Sequence, residues 1–167
     1  DSMVYKAGFY GHVIFGLIAL LSGPLQFLPG FRARRLKLHR NLGKTYVIAC
    51  LLSGICGLYI AQYASTGTIA RLGFSFLALG WLLTTSMAYS SIRRGNVDIH
   101  QIWMIRSYAL TFAAVTLRLY LGPSAALGIP FESAYPIISW MCWVPNIIIA
   151  ELIFVRPLLR THQVART

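Results

Sequence analysis

The stretch HQIWMIRSYALTFAAVTLRLY, residues 100–120, decides the fold. A bilayer core about 30 Å thick takes roughly 20 helical residues to cross, and this run has that length and an apolar character to match. A strand of a membrane barrel would be about ten residues long and alternate in polarity, which this run does not. It nevertheless carries His100, Arg106 and Arg118. Where those side chains lie along the helix is most of what the sequence says about function.

Working outward, similar runs occupy about residues 9–28, 46–64, 72–91 and 137–155, with 101–121 the fourth in order. Hydrophobic residues make up 57% of the chain and charged residues 11%, where soluble domains carry about a quarter charged. Only helices and closed barrels keep the backbone hydrogen-bonded in lipid. The expected fold is therefore an all-α polytopic transmembrane bundle, one domain over residues 1–167 with five crossings. Because the chain starts at Asp1 rather than Met, either a removed signal segment or a sixth, N-terminal crossing is expected ahead of it, the crossing being favoured. GPLQFLPG (23–30) closes the first crossing through its prolines. ASTGT (64–68) reads as a tight turn, and LGPSAALGIPFESAYP (121–136) as a long loop.

Fifteen Lys and Arg against four Asp and Glu give a net charge of +11. The placement of the charge argues against nucleic acid. Arg32, Arg34, Arg35, Lys37, Arg40 and Lys44 precede the second run, Arg93 and Arg94 follow the third, and Arg156, Arg160 and Arg166 follow the fifth. With five crossings these regions share one face and leave Lys6 and Arg71 on the other, with Arg118 near its border. Positive residues favour the cytoplasmic side, so the N-terminus is expected outside and the C-terminus in the cytoplasm, with anionic phospholipid as a partner of the basic face. Cys50, Cys56 and Cys142 fall in apolar runs without a metal or redox spacing, and read as small buried hydrophobes.

Two inner segments look alike. RARRLKLHRNLGKTY (32–46) and SIRRGNVDIHQIWMIRSY (91–108) each pass from an Arg pair to a histidine that opens a helix, with a tyrosine seven or eight residues later. Repeats related by an axis along the membrane normal would put His39 and His100 at one depth. HRNLGKTY together with the run from Gly80 to Tyr120 resembles a bacterial family of multi-pass membrane proteins catalogued as domain of unknown function 2306, over about His12 to Glu151. The resemblance implies a helical protein of the inner (cytoplasmic) membrane and brings no established activity.

At a rise of about 1.5 Å per residue, Arg106 lies about 9 Å and Arg118 about 27 Å outward of His100. Arg118 reaches the headgroups and can snorkel. Arg106 lies within the hydrocarbon edge, where an unpaired charge costs at least a few kcal/mol. Glu151 is the acid expected at that depth, so an Arg106–Glu151 ion pair is predicted to tie the fourth crossing to the fifth. Pro145 should kink the fifth crossing, with Asn146 serving freed backbone groups or a neighbour. Ser53, Gly54, Gly57 and Ala61 form a small-residue stripe for close helix packing. His12 reads as an interfacial residue beside Tyr5, Phe9 and Tyr10, bonded to backbone or headgroup, and His162 as a residue of the tail.

No phosphate loop, Cys-x-x-Cys or nucleophile triad is present, and four acids leave no carboxylate pair for hydrolysis. Three functions remain. The first is a b-type haem or quinone-linked electron-transfer protein. Here His39 and His100 are the axial candidates and Arg34, Arg35, Arg93 and Arg94 hold propionates or lipid headgroups. No metal is expected beyond the haem iron. The second is a cofactor-free accessory subunit of a larger membrane complex, with Trp140, Trp143, Phe131 and Tyr135 as contacts. The third is a small-molecule or lipid transporter with Arg106 and Glu151 in its pathway.

Overall fold

A computed structural model describes residues 3–164. The side chains of residues 161–167, His162 and Arg166 among them, lie outside the described residues, as does Asp1. Every described element is helical. In chain order they are α1 (Met3–Ser22), a short 3₁₀ turn (Pro24–Phe27), α2 (Pro29–Arg34), α3 (Leu36–Ala61) and α4 (Thr68–Arg93). There follow α5 (Val97–Thr111), α6 (Ala113–Ala126), α7 (Phe131–Met141), α8 (Val144–Ala150), a π-helical turn (Glu151–Val155) and α9 (Arg156–Val164).

Four stretches are long and apolar enough to cross a membrane: Met3–Phe27, Leu36–Ala61, Thr68–Arg93 and Phe131–Arg160. Over the expected crossing 101–121 the chain forms two shorter helices, α5 and α6, that meet at Phe112. Thr111 and Thr116 each bond back onto carbonyls of their own helix around this point, a habit of hydroxyl side chains that bends helices.

Two other boundaries differ from expectation. LKLHRNLGK is not a loop, because α3 begins at Leu36, ten residues before the expected start. No proline lies between Arg35 and Tyr46 to break a helix, and Lys37, Arg40 and Lys44 are exposed. The expected long loop over 121–136 shrinks to residues 127–130. Pro123 sits in the last turn of α6, and Gly128 supplies the left-handed turn (φ +71°) that sends the chain into α7. Gly95 (φ +75°) turns α4 into α5 in the same way. Asn96 then caps α5, accepting from the Ile99 N–H at 3.2 Å.

The burial pattern is inverted relative to a water-soluble domain. Ala19, Ala70, Ala88, Ser53, Thr85, Ser107 and Ser139 are fully buried, while Leu17, Leu21, Ile48, Ile55, Phe76, Leu83, Ile137 and Ile153 are exposed. Large apolar side chains face outward and small residues face each other, as they do where hydrocarbon is the solvent and helices associate by close approach. The closest packing joins α1 with α3, α3 with α4, and α4 with α5. α7 lies on the N-terminal part of α4, and α8 beside α5.

The stripe on α3 packs as its small residues suggest. A Cβ on Gly57 would meet the His12 ring of α1, and one on Gly54 would meet Leu82 of α4. Gly73 of α4 has Ser139 and Trp140 of α7 against it. Gly73→Leu is therefore expected to separate α4 from α7 and cost about 1–3 kcal/mol. The change is read as a lower thermal midpoint in mild detergent, with Gly30→Ala, which has nothing within 4 Å of a Cβ there, unchanged.

Candidate functional site

His39 and His100 each occupy the fourth residue of a helix that starts at the basic end, in α3 and α5 respectively. The amide of His39 donates to the carbonyl of Arg35 (2.9 Å) and that of His100 to Asn96 (3.0 Å). The two segments that look alike in sequence thus have one local geometry. The tyrosines that follow them, Tyr46 and Tyr108, lie with ring centroids 6.4 Å apart.

The two imidazoles differ in their partners. His100 Nδ1–H donates to the carbonyl of Ala88 on α4 at 2.8 Å. That bond fixes the tautomer and leaves Nε2 with a free lone pair, as in metal-ligating histidines. His39 lies within electrostatic reach of Arg32, His100 and Arg40, and its Nδ1 is buried without a hydrogen-bond partner. Gln26, in the 3₁₀ turn, is only 8% exposed, and its Nε2 is likewise buried without a partner. Its Oε1 lies over Gly43, one turn beyond His39 on the same face of α3. Phe27 then packs on Tyr108 at 5.5 Å. Two orphaned polar nitrogens, a second imidazole and two aromatic rings therefore share the basic end. Arg34, Arg35, Arg93 and Arg94 are all exposed there, and the one salt bridge among the described residues involves none of them.

That salt bridge joins Arg106 and Glu151. Nε donates to Oε2 at 2.9 Å and Nη2 to Oε1 at 2.8 Å, a parallel fork. The guanidinium also covers the Trp103 ring at 4.6 Å. Glu151 is the first residue of the π turn, so the pair fastens the most irregular part of the last crossing to α5. The pair is partly exposed, at 22% and 34%, and both carboxylate oxygens accept from the one guanidinium.

The last crossing bends just ahead of Pro145. α7 ends at Met141 and α8 starts at Val144, with Pro145 in its first turn. Asn146 Nδ2 donates to the freed carbonyl of Cys142 (3.0 Å) and lies 3.1 Å from Thr116 Oγ1 and 3.4 Å from the carbonyl of Ala109. Thr116 also donates to the Cys142 carbonyl. The bend at 142–143 therefore meets the break at Phe112 side by side.

Sequence reasoning missed the polar centre. Tyr46 is fully buried, and its hydroxyl is 2.9 Å from both Ser107 Oγ and Thr111 Oγ1. Thr85 Oγ1 reaches Ser107 at 2.7 Å, and Trp81 Nε1 donates to Thr111 at 2.9 Å. Ser107 and Thr111, four residues apart in an apolar run, were the available signal. Cys50 and Cys142 are buried and all three cysteines are free. His12 Nδ1–H donates to the Ser53 carbonyl (3.0 Å), and Ser53 Oγ donates back to the His12 carbonyl (2.8 Å). Trp140, Phe131 and Tyr135 pack within the chain, Trp140 donating to the Ile69 carbonyl and Phe131 stacking on Tyr135. Trp143 stands beside Trp140, its indole nitrogen buried without a partner.

Apolar helices with small residues turned inward, polar groups satisfied across helices and charge gathered at one end define a helical membrane protein. The family model for the predicted membrane proteins DUF2306 matches residues 9–154, so the chain belongs to that family. No curated protein and no solved structure gives a significant match.

Losing one member of the Arg106–Glu151 fork strands the other charge. Glu151→Gln or Arg106→Gln is expected to lower stability by about 1.5–3 kcal/mol, the range for hydrogen bonds to charged groups. Thermal unfolding of the two single variants and the double variant tests this. Coupling near zero in that cycle would show that the pair is not a clamp.

Proposed function

We propose that the protein is a quinone-linked electron-transfer protein of the cytoplasmic membrane, with the quinone head at the basic end beside Gln26 and His39. The observation that carries the reading is the pair of buried nitrogens, Gln26 Nε2 and His39 Nδ1, that lack partners on one face of α3. Buried donors left unsatisfied cost about 1–3 kcal/mol each, so they call for a ligand with acceptors. A quinone offers two carbonyl oxygens and a tail soluble in the bilayer. The two N–H groups would hold those oxygens, and the exposed guanidinium groups of Arg34, Arg35, Arg93 and Arg94 would favour the charge that reduction places on them.

In this reading the chain crosses five times. α5 and α6 together form the fourth crossing, the basic end faces the cytoplasm with the C-terminus, and the N-terminus lies outside. The support is the asymmetric placement of Lys and Arg. A membrane-impermeant maleimide applied to intact cells is expected to label Glu132→Cys and leave Arg94→Cys unlabelled. The reverse pattern inverts the topology.

A b-type haem is the second reading, favoured by the His100 Nδ1–Ala88 bond. His100 would hold the iron through Nε2, His39 would supply the other imidazole, and Arg34, Arg35, Arg93 and Arg94 would pair with propionates. When bound, the haem would supply one-electron chemistry. The Ala88 carbonyl would orient the His100 ring, and His39 would supply the second imidazole.

Protein purified in mild detergent is to be extracted for quinone and its oxidised and dithionite-reduced spectra recorded. Bound quinone is expected, falling about tenfold in Gln26→Leu and His39→Leu and unchanged in His12→Ala. A Soret band lost in His100→Ala transfers the site to haem. Colourless, quinone-free protein ends both readings and leaves the accessory subunit.

A further inference from the structure

A cavity lies at the opposite end of the bundle from His39 and His100, and it owes nothing to the quinone reading. It is a cleft of about 440 Å³ enclosed by α1, α3, α4, α6 and α7, within the range of small-molecule sites, about 300–1,000 Å³. The floor is Trp81 and Thr111, and it reaches the paired helix breaks through Ala113, Ala114 and Cys142. The rim carries Arg118.

The polar groups of this cleft are not equivalent. Trp81 Nε1 is used by Thr111, whose hydroxyl also bonds the Ser107 carbonyl and Tyr46. His12 Nδ1 is used by Ser53. The floor therefore presents no free donor to a ligand, and a polar head placed there would lose its hydration without compensation. Arg118 is different. One of its nitrogens donates to the Ala114 carbonyl at 2.6 Å, and the salt bridge found among the described residues leaves it without a carboxylate. The guanidinium keeps further donors at the mouth of an apolar slot.

We propose that this cleft binds an anionic single-chain amphiphile, its carboxylate or phosphate on Arg118 and its chain running inward past Ala114 to Trp81. The division of polarity along the slot selects that ligand. Charge is available only at the rim, hydrogen bonds at the floor are already made, and the wall between is mostly apolar. The modest volume suits one chain rather than two. A free fatty acid and a lysophospholipid with a phosphate monoester share this chemistry.

The test uses the full chain in nanodiscs of neutral phosphatidylcholine. Trp fluorescence is titrated with a brominated fatty acid, with the brominated alcohol of the same chain length, and with the acid in competition against lysophosphatidic acid. Wild type is expected to show saturable quenching, with the acid bound about tenfold more tightly than the alcohol. Arg118→Gln should bring the acid down to the affinity of the alcohol. Ala114→Phe should abolish saturable quenching by both, with helicity checked by circular dichroism. Displacement by lysophosphatidic acid at lower concentration assigns the head to phosphate, and failure to displace assigns it to carboxylate. Equal affinity of wild type for acid and alcohol overturns the proposal, as does quenching that never saturates. Should Ala114→Phe lose helicity, the comparison of acid with alcohol in wild type and Arg118→Gln decides.

Discussion

The hydroxyl of Tyr46 is the junction on which the bundle depends. It lies at the centre of α3, fully buried, between Ser107 and Thr111 of α5. Through those two residues it is joined to Thr85 and Trp81 of α4. A hydroxyl in hydrocarbon that lacks a partner is costly, and apolar contact alone does not distinguish a helix neighbour from a lipid tail. The network therefore does what a greasy core does in water: it makes one arrangement of α3, α4 and α5 better than dispersal. The alanines, serines and glycines around it follow from the same requirement. Helix backbones must approach closely for such short side chains to meet, so small residues are buried and the large apolar ones are left for lipid.

The family, the helical class and the ion pair were legible because each rests on a strong one-dimensional signal. Apolar runs have a length set by the bilayer, and a lone Arg in such a run has few acids to choose from. Four acids in the whole chain made Glu151 the candidate at that depth. Pro145 announced its own bend. Less legible was the start of α3, where basic residues look like a loop although nothing in them opposes a helix. The break at Phe112 has no proline to mark it and arises from threonines bonding to their own backbone and from Asn146 on another helix. Gln26 was invisible as a site residue, since only the fold brings it over Gly43 beside His39.

The two ends of the molecule follow different rules. At the basic end the charges are exposed and numerous, while the informative groups are neutral and buried: Gln26, His39 and His100. At the other end one guanidinium borders a cleft whose floor donors, Trp81 Nε1 and the Thr111 hydroxyl, have partners. Salt should screen the first set of charges, which stand in water, far more than the second, which borders a low-dielectric slot. Under the two proposals, a ligand at the basic end would meet buried neutral donors, and a ligand at the other end would meet the Arg118 guanidinium.

Apart from the 3₁₀ turn at Pro24–Phe27, irregular backbone within the long apolar runs falls in the second half of the chain. α1, α3 and α4 run unbroken, whereas the path from α5 to α9 contains the break at Phe112, the bend at 142–143 and the π turn. Lipid tolerates no orphaned carbonyl, so each irregularity needs a side chain to satisfy or fasten it. Asn146 and Thr116 satisfy the Cys142 carbonyl, and the Arg106–Glu151 fork fastens the π turn. Both devices link the α5–α6 path to the last crossing. The result is a stiff scaffold of three helices carrying a pair of bent ones that hold each other in register. The cleft lies along the seam between these two parts, with its floor on the scaffold at Trp81 and its far wall on the bent pair at Ala114 and Cys142. The cavity falls where the path leaves α4: α5 and α7 pack against α4, whereas α6, beyond the break at Phe112, packs on α7, and the polar clamps keep the bent pair from straightening.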